Sequence, residues 1–248
     1  MLKVSLTPIA GWIVFKQQHG ITLQTVQGES AAADIAKGRE DLRWIIAEYT
    51  LEGVYNMDDK GLFYQLEPNV ILATGPAKGK KKNKVRITVG LFSNATGTDK
   101  QKPLLIARAA KLRCFGKDFN PNFYITHRHN TTVGVTSMVF AVWLTDFECS
   151  MTRQKWKVLL LDNAASHKFP EGLRNNLVDF LTPNLTAHLQ PNDDGIIPNF
   201  KLYYREGLTK HFLQAIENDK TMAINLLEEL HLIRDACNYV KRETIQNC

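Results

Sequence analysis

Three aspartates, each at or shortly after the end of an apolar, strand-like run, constrain this chain more than any other feature. They are Asp58, Asp162 and Asp193. A carboxylate at the end of a buried strand is costly unless a positive charge accompanies it. Two divalent cations, bound by clustered aspartate oxygens and completed by water and phosphate, would supply that charge. The sequence therefore suggests metal-dependent phosphodiester chemistry on a nucleic acid.

The spacing of the acids allows them to meet, although each also has an ordinary structural explanation. Thirty residues lie between Asp162 and Asp193, which is enough for a helix and a return strand that lead back to the same edge of a sheet. Taken singly, Asp58 is typical of a turn, Asp162 fits capping and function equally well, and Asp193 is better explained as a helix N-cap. The residue pattern alone leaves these alternatives open.

The composition describes a basic chain without a membrane or disulfide pattern. Its 248 residues, 44% of them hydrophobic, are enough for one sizeable core or for a main domain with a small appendage. The net charge of +6 favours polyanionic partners. The four cysteines lack Cys-x-x-Cys spacing, which favours a reducing intracellular compartment over a zinc ribbon or a disulfide framework. No apolar stretch approaches the roughly 18 residues that span a membrane, so we expect no membrane partner.

Helical and strand-like segments are arranged as in an α/β protein. One helix is expected within 1–28, and a second is expected to start at Asp34, which would be its N-cap. Further helices are expected at Thr136–Glu148, Pro170–Phe180, Gly195–Glu217 and Thr221–Tyr239. Strands are expected at 54–58, 61–66, 85–92, 103–107, 158–161 and 185–189. The run 158–161 is continuously apolar, as in a central strand covered on both faces. The predicted fold is a mixed sheet flanked by helices.

Several motifs, in a fixed order, resemble the pogo/Tigger group of DDE transposases. The most specific are Leu159–His167, which reads LLLDNAASH, and Leu189–Asp193, which reads LQPND. Tyr55–Tyr64 resembles the first-aspartate motif of that group. Further matches in the family's order are Lys102–Ile106, Arg113–Phe115, Gly195–Lys201 and Glu243–Cys248.

The resemblance implies an RNase H-like fold with a three-aspartate site that binds two Mg²⁺ or Mn²⁺ ions. In that arrangement Asp58 and Asp162 share one ion and Asp193 holds the other. One ion helps to ionise a water or a DNA 3′-hydroxyl, and the other stabilises the leaving oxygen. Asn163 and His167 match family positions beside the second aspartate, where they would support a ligand or orient a water. The alternative is that Asn163 shapes the turn and His167 is bonded locally.

The chain also departs from the family pattern. Members usually carry Asp-Glu-Thr-Gly where this chain has Asp58-Asp59-Lys60-Gly61, and the lysine either weakens metal binding or points to solvent. Asn192 stands where an apolar residue is usual. Residues 1–28 resemble the end of a centromere protein B-type helix-turn-helix, so we expect this remnant, then a linker helix at 29–50 and a catalytic domain at 51–248 that is truncated at its C-terminus. Sequence-specific reading of transposon ends is expected to be lost.

A basic segment is a candidate DNA contact. Its residues are Lys78, Lys80, Lys81, Lys82, Lys84 and Arg86. They would contact phosphates or serve as a nuclear import signal, and the alternative is an ordinary solvated loop. The predicted function is a nuclear, metal-dependent DNA endonuclease and strand-transferase core, with DNA as partner and a homodimer as one candidate assembly. The alternatives are a decayed or domesticated DNA-binding protein without catalysis and, more remotely, a nuclease acting on structured nucleic acid.

Overall fold

A computed structural model describes residues 29–65, 84–110, 114–117, 119–151, 157–168, 176–181, 189–218 and 223–248. The strands in this part of the chain are β1 (Val54–Phe63), β2 (Arg86–Asn94), β3 (Leu104–Ala107), β4 (Thr126–His129), β5 (Lys157–Leu161) and β6 (Asn176–Phe180). The α-helices are α1 (Glu29–Ile46), α2 (Ser137–Ser150), α3 (Ile197–Glu217), α4 (Leu226–Tyr239) and α5 (Arg242–Gln246). Single turns of 3₁₀-helix lie at Leu51–Gly53 and Pro121–Phe123, and one π-helical turn lies at Asn192–Ile196.

The six strands form one mixed sheet in the order β4-β3-β2-β1-β5-β6. Strands β1, β2 and β3 pair antiparallel in sequence, as expected of a meander. Strands β5 and β6 continue the sheet parallel to β1, and β4 runs parallel to β3 at the other edge. The prediction of an RNase H-like mixed sheet flanked by helices is confirmed.

Strand β1 carries the first aspartate within its length rather than in a turn after it. Its ladder with β2 continues through the pairs Asp58–Leu91 and Lys60–Val89. The two predicted strands at 54–58 and 61–66 are therefore one strand that ends at Phe63, and the turn explanation for Asp58 is wrong. The long apolar β2 supplies backbone partners along all of β1, and this pairing outweighs the local turn preference of an Asp-Asp-Lys-Gly sequence.

Side chains alternate between the two faces of β1. Tyr55 and Met57 join the cluster packed under α2, which includes Phe140 and Trp143. The opposite face of the sheet packs against α3 and α4. The buried residues there are Val89 and Leu91 from β2, Phe200 and Tyr204 from α3, and Leu230 and Ile233 from α4. Because paired residues share a face, Asp58 and Lys60 lie on this second side of the sheet.

Several predicted elements differ from the structure. The helix expected at Pro170–Phe180 is wrong for its second half, where β6 pairs residue by residue with β5. This pairing joins residues distant in sequence, so local periodicity could not reveal it. Helix α1 begins at Glu29, so Asp34 lies inside it and is not its N-cap. Helix α4 begins at Leu226 after a capping box of Asn225 and Glu228.

Other predictions fall outside the described residues. The helix-turn-helix remnant at 1–28 is among them, as are most of the strand predicted at 185–189 and Lys78, Lys80, Lys81 and Lys82. None of the helices in the described ranges combines the length and apolar character that a membrane crossing requires.

Candidate active site

Asp58 and Lys60 form the first half of the site. They are two residues apart on a strand, so their side chains leave β1 on the same face. Asp58 is buried, with 5% of its surface exposed. The Nζ of Lys60 lies 3.1 Å from Asp58 Oδ2. The lysine that the sequence left as either a metal competitor or a solvent-directed side chain therefore points to the first aspartate.

Asp193 completes this group from a separate element. It lies in the π-helical turn Asn192–Ile196, a rare single-turn feature that often marks functional sites. Its Oδ1 is 3.0 Å from Lys60 Nζ, so one ammonium group joins Asp193 to Asp58. Ile196 is the N-cap of α3, so the N-cap explanation for Asp193 is wrong. The adjacent Asp194 is exposed.

A buried hydrogen-bond network fixes the π-helical turn against the sheet. Asn192 donates to Asn56 Oδ1 from its backbone N, at 3.1 Å, and from its Nδ2, at 2.6 Å. Asn56 in turn donates to the Leu160 carbonyl on β5, at 3.0 Å. Gln190 Nε2 donates to the Met57 carbonyl at 3.2 Å. This network places the residue after Asn192 beside the face of β1 that carries Asp58.

Our sequence reasoning missed this network, although the sequence contains a signal for it. Asn56 and Asn192 each sit two residues or fewer from a candidate metal ligand, and Asn56 interrupts the apolar run Val54–Met57. A buried amide needs partners for its donors and acceptor. Two such amides near two acids are therefore a sequence signal that the two segments meet in the fold.

Asp162 reaches the same region from the end of β5. The parallel register pairs Val54 with Val158 and Asn56 with Leu160. Continued for two residues, it brings the backbone of Asp162 alongside Asp58, at the spacing of about 4.8 Å between neighbouring strands. The Asp162 carboxylate, however, contacts His167, with Oδ1 2.9 Å from Nδ1.

His167 directs Asp162 towards the other face of the sheet. Its ring packs on Phe140 of α2, with 4.5 Å between ring centroids, and its Nδ1 also lies 3.0 Å from the Asp162 carbonyl oxygen. The structure thus brings Asp58 and Asp193 together on one cation. Asp162 directly follows the last residue of β5, and its carboxylate is bound to His167 instead. Asn163 is exposed.

The electrostatics follow from burial and from these pairs. Burial raises the pKa of Asp58 to about 6, with the nearby Asp193 adding to the rise and Lys60 opposing it. For Lys60, burial acts to lower the pKa, but the Asp193 and Asp58 carboxylates outweigh it and the pKa is raised. For His167, burial also acts to lower the pKa, and the contacts with Asp162 outweigh it and raise the pKa. The aspartates therefore favour the protonated forms of both Lys60 and His167.

The arrangement of the acidic residues suits the binding of one cation, but in this structure it does not form a site for two metal ions. Lys60 shows directly that Asp58 and Asp193 can share one positive charge. Asp58 Oδ2 and Asp162 Oδ1 are buried, and their present partners are Lys60 and His167. Carboxylate oxygens are also the ligands that Mg²⁺ prefers. Within the described ranges, however, no three His, Cys, Asp or Glu side chains are grouped closely enough to hold a metal ion.

Two of the predicted DNA-contacting residues lie in the described part of the chain. Lys84 and Arg86 are exposed before and at the start of β2. The Arg86 guanidinium lies against Gly61 of β1, so close that a Cβ on residue 61 would overlap it. Glycine at this position therefore lets the arginine cross the neighbouring strand.

The sequence matches a known protein family over more than half of its length. The model of the DDE superfamily endonuclease domain matches residues 84–248. The chain belongs to the DDE superfamily of endonucleases. Asp162 and Asp193 lie inside the matched segment of this family domain, and Asp58 precedes it.

Relatives are found among centromere-protein-like and transposon-derived proteins. The CENP-B homolog protein 2 of Schizosaccharomyces pombe is 30% identical over 96% of this chain and 49% of its own length. The mouse Tigger transposable element-derived protein 4 is 26% identical over 95% of this chain and 47% of its own length. The chain spans about half the length of these two curated relatives. Among solved structures, the Mos1 strand transfer complex aligns with a TM-score of 0.48 and 11% identity, over 96% of this chain and 65% of that one.

Proposed function

We propose that this chain is the DNA-cleaving core of a pogo/Tigger-like transposase and that it uses Mg²⁺ or Mn²⁺ held by Asp58, Asp162 and Asp193. The observation that carries the proposal is the bridge between Asp58 and Asp193, two acids from separate elements that share one cation. Membership of the DDE superfamily supports the same reaction class. When bound, the two ions would polarise an attacking water or 3′-hydroxyl and neutralise the leaving oxygen.

The residues of the chain have distinct parts in this proposal. Asp58 is held in a buried strand, where little water competes for its oxygens. The Asn56–Asn192 hydrogen bonds hold Asp193 across from it. His167 fixes the carboxylate of Asp162, which has to turn from the imidazole towards Asp58 to share an ion with it. His167 is thus a positioning residue rather than a catalytic one.

Metal-dependent nicking of supercoiled plasmid tests the proposal. The wild-type chain should nick DNA with Mg²⁺ or Mn²⁺ and stop when the metal is chelated. Asp162→Ala and Asp193→Ala should each reduce nicking to background. Asp194→Ala is the matched control, because Asp194 is an exposed aspartate in the same π-helical turn and should be dispensable. Equal nicking by all four proteins would contradict the assignment.

DNA is the proposed partner, and the nucleus the proposed location. Exposed Lys84 and Arg86 would contact phosphates. Binding measured at several salt concentrations should weaken as salt rises, and each Lys84→Gln or Arg86→Gln change should reduce the slope of log K against log salt by about one. A homodimer is the proposed assembly, which sedimentation of the DNA complex can test.

A second candidate function is DNA binding without catalysis. It is favoured by the lysine that already neutralises Asp58 and Asp193 and by the engagement of Asp162 with His167. In that case the wild-type chain would bind DNA in a salt-dependent manner but give no metal-dependent nicking. Retained binding by Asp162→Ala together with lost nicking would instead support the first candidate.

A further inference from the structure

The position of Lys60 bears on how many metal ions this site can hold. Its ammonium nitrogen lies 3.1 Å from Asp58 Oδ2 and 3.0 Å from Asp193 Oδ1. A divalent ion bonded to the same two oxygens would lie about 2.1 Å from each. It would therefore occupy the gap that the ammonium group fills, and both cations cannot be there together.

The charge balance leads to the same conclusion. Without the lysine, the pair of carboxylates carries two negative charges, and with it only one remains. The affinity of oxygen-ligand sites for divalent ions depends strongly on the number of ligand charges. The contact is also part of the fold, because Lys60 and Asp58 extend from the same face of one strand and the Asn56–Asn192 network holds Asp193 opposite them.

We propose that Lys60 is a built-in cation that takes the place of a divalent ion between Asp58 and Asp193. This inference rests on the proposed function, since it concerns the same acidic pair. In the resting chain the lysine keeps the two carboxylates together without metal. A divalent ion enters the gap between the two carboxylates only when the ammonium group leaves it. Lys60 therefore lowers the affinity of the site for divalent ions, or the number of ions that it binds.

The test is Mn²⁺ binding to the full chain, measured by calorimetry and by the paramagnetic resonance signal of free Mn²⁺. Lys60→Met keeps the length of the apolar stem and removes the charge, and Lys60→Gln is a second neutral variant in case the first folds poorly. Both should bind Mn²⁺ on the order of thirtyfold more tightly than the wild type, or take up one additional ion. In the wild type the ion must first displace the ammonium group, and the attraction of that group to two carboxylates a few ångströms away has this size even in water.

Two controls isolate the site. Lys60→Arg keeps the charge and should show no gain. Lys210→Met removes the same charge from an exposed Lys–Glu pair on α3, away from the site, and should behave like the wild type. Adding Asp193→Asn to Lys60→Met should abolish the gain, because the new ion loses one of its two carboxylates.

The outcomes separate this inference from the proposed catalysis. Wild-type Mn²⁺ affinity and stoichiometry equal to those of Lys60→Met would overturn the role of Lys60, even if the wild type nicks DNA. A gain that survives Asp193→Asn would overturn it as well, since the ion would then lie elsewhere. A gain that depends on Asp193, in a variant that still fails to nick DNA, would support the role of Lys60 and count against the proposed cleavage.

Discussion

Replacement of Asn56 by alanine is the sharpest test of how the π-helical turn is held. Asn56 is buried and makes three hydrogen bonds, two from Asn192 and one to the Leu160 carbonyl. A hydrogen bond contributes about 1 kcal/mol net, and a buried group left without its partner costs more. Asn56→Ala should therefore lower the free energy of unfolding by about 3 kcal/mol or somewhat more, measured by denaturant titration.

Asn94→Ala is a matched control for this change. Asn94 is also a buried residue and also makes three hydrogen bonds, with the Glu52 carbonyl, the Thr98 hydroxyl and the Asp99 backbone N–H. We expect a similar or somewhat smaller loss of stability from it, because the number of bonds is the same but those of Asn94 are only partly buried. The two variants should differ in which turn they loosen, since Asn94 holds the turn after β2 and Asn56 holds the turn that carries Asp193.

Hydrogen exchange of backbone amides distinguishes the two effects. Asn56→Ala should speed exchange in 192–196 by on the order of a hundredfold relative to wild type, which is what about 3 kcal/mol of local stabilisation implies. Asn94→Ala should leave that segment protected. If exchange in 192–196 is the same in both variants when they are compared at equal global stability, the network does not position Asp193 and our reasoning fails.

Two further predictions concern the helical side of the sheet. Burial raises the pKa of Glu229 to about 8, and the Tyr204 hydroxyl, which donates to Glu229 Oε2 at 3.0 Å, only partly offsets this. The folded chain holds this proton more tightly than the unfolded chain, so the contribution of Glu229 to stability is fully present below about pH 4.5. It should be lost, by on the order of 4 kcal/mol, as pH rises through about 8. Glu229→Gln should flatten that part of the stability curve in denaturant titrations, and an unchanged slope would count against this prediction. Lys100 Nζ contacts the carbonyls of Cys237, Asn238 and Val240 at the end of α4. Lys100→Met should therefore lower the free energy of unfolding by about 1–2 kcal/mol and, with it, the melting temperature measured by calorimetry, whereas an equal melting temperature would show that the cap is dispensable.

Local sequence patterns correctly predicted those strands and helices whose own residue pattern reflects how they are buried. The run 158–161 was predicted as a central strand because burial on both faces requires continuous apolar residues, and β5 is that strand. Helix α3 was predicted within two residues of its observed start and at its observed end for a similar reason. In contrast, β6 was predicted as part of a helix, because its strand conformation depends on pairing with β5 rather than on its own sequence.

The acidic site shows the same division in more detail. Asp58, Asp162 and Asp193 could be selected from motif order and from the ends of apolar runs. The sequence could not show whether each aspartate has a structural or a functional role. The turn and N-cap preferences of aspartate are local, and the β1–β2 ladder and the π-helical turn overrode them. The buried amides that bring the segments together, Asn56 and Asn192, were visible in the sequence only as polar residues within two positions of the acids.

The sequence by itself determined the family, most of the strands and helices and the three candidate acids, because each depends on residue types at fixed spacings along the chain. Only the tertiary structure decided which charges meet. Contacts between residues distant in sequence set the direction of a lysine side chain and the rotamer of an aspartate. Lys60 therefore lies between Asp58 and Asp193, and Asp162 turns to His167. No local sequence pattern contains this information.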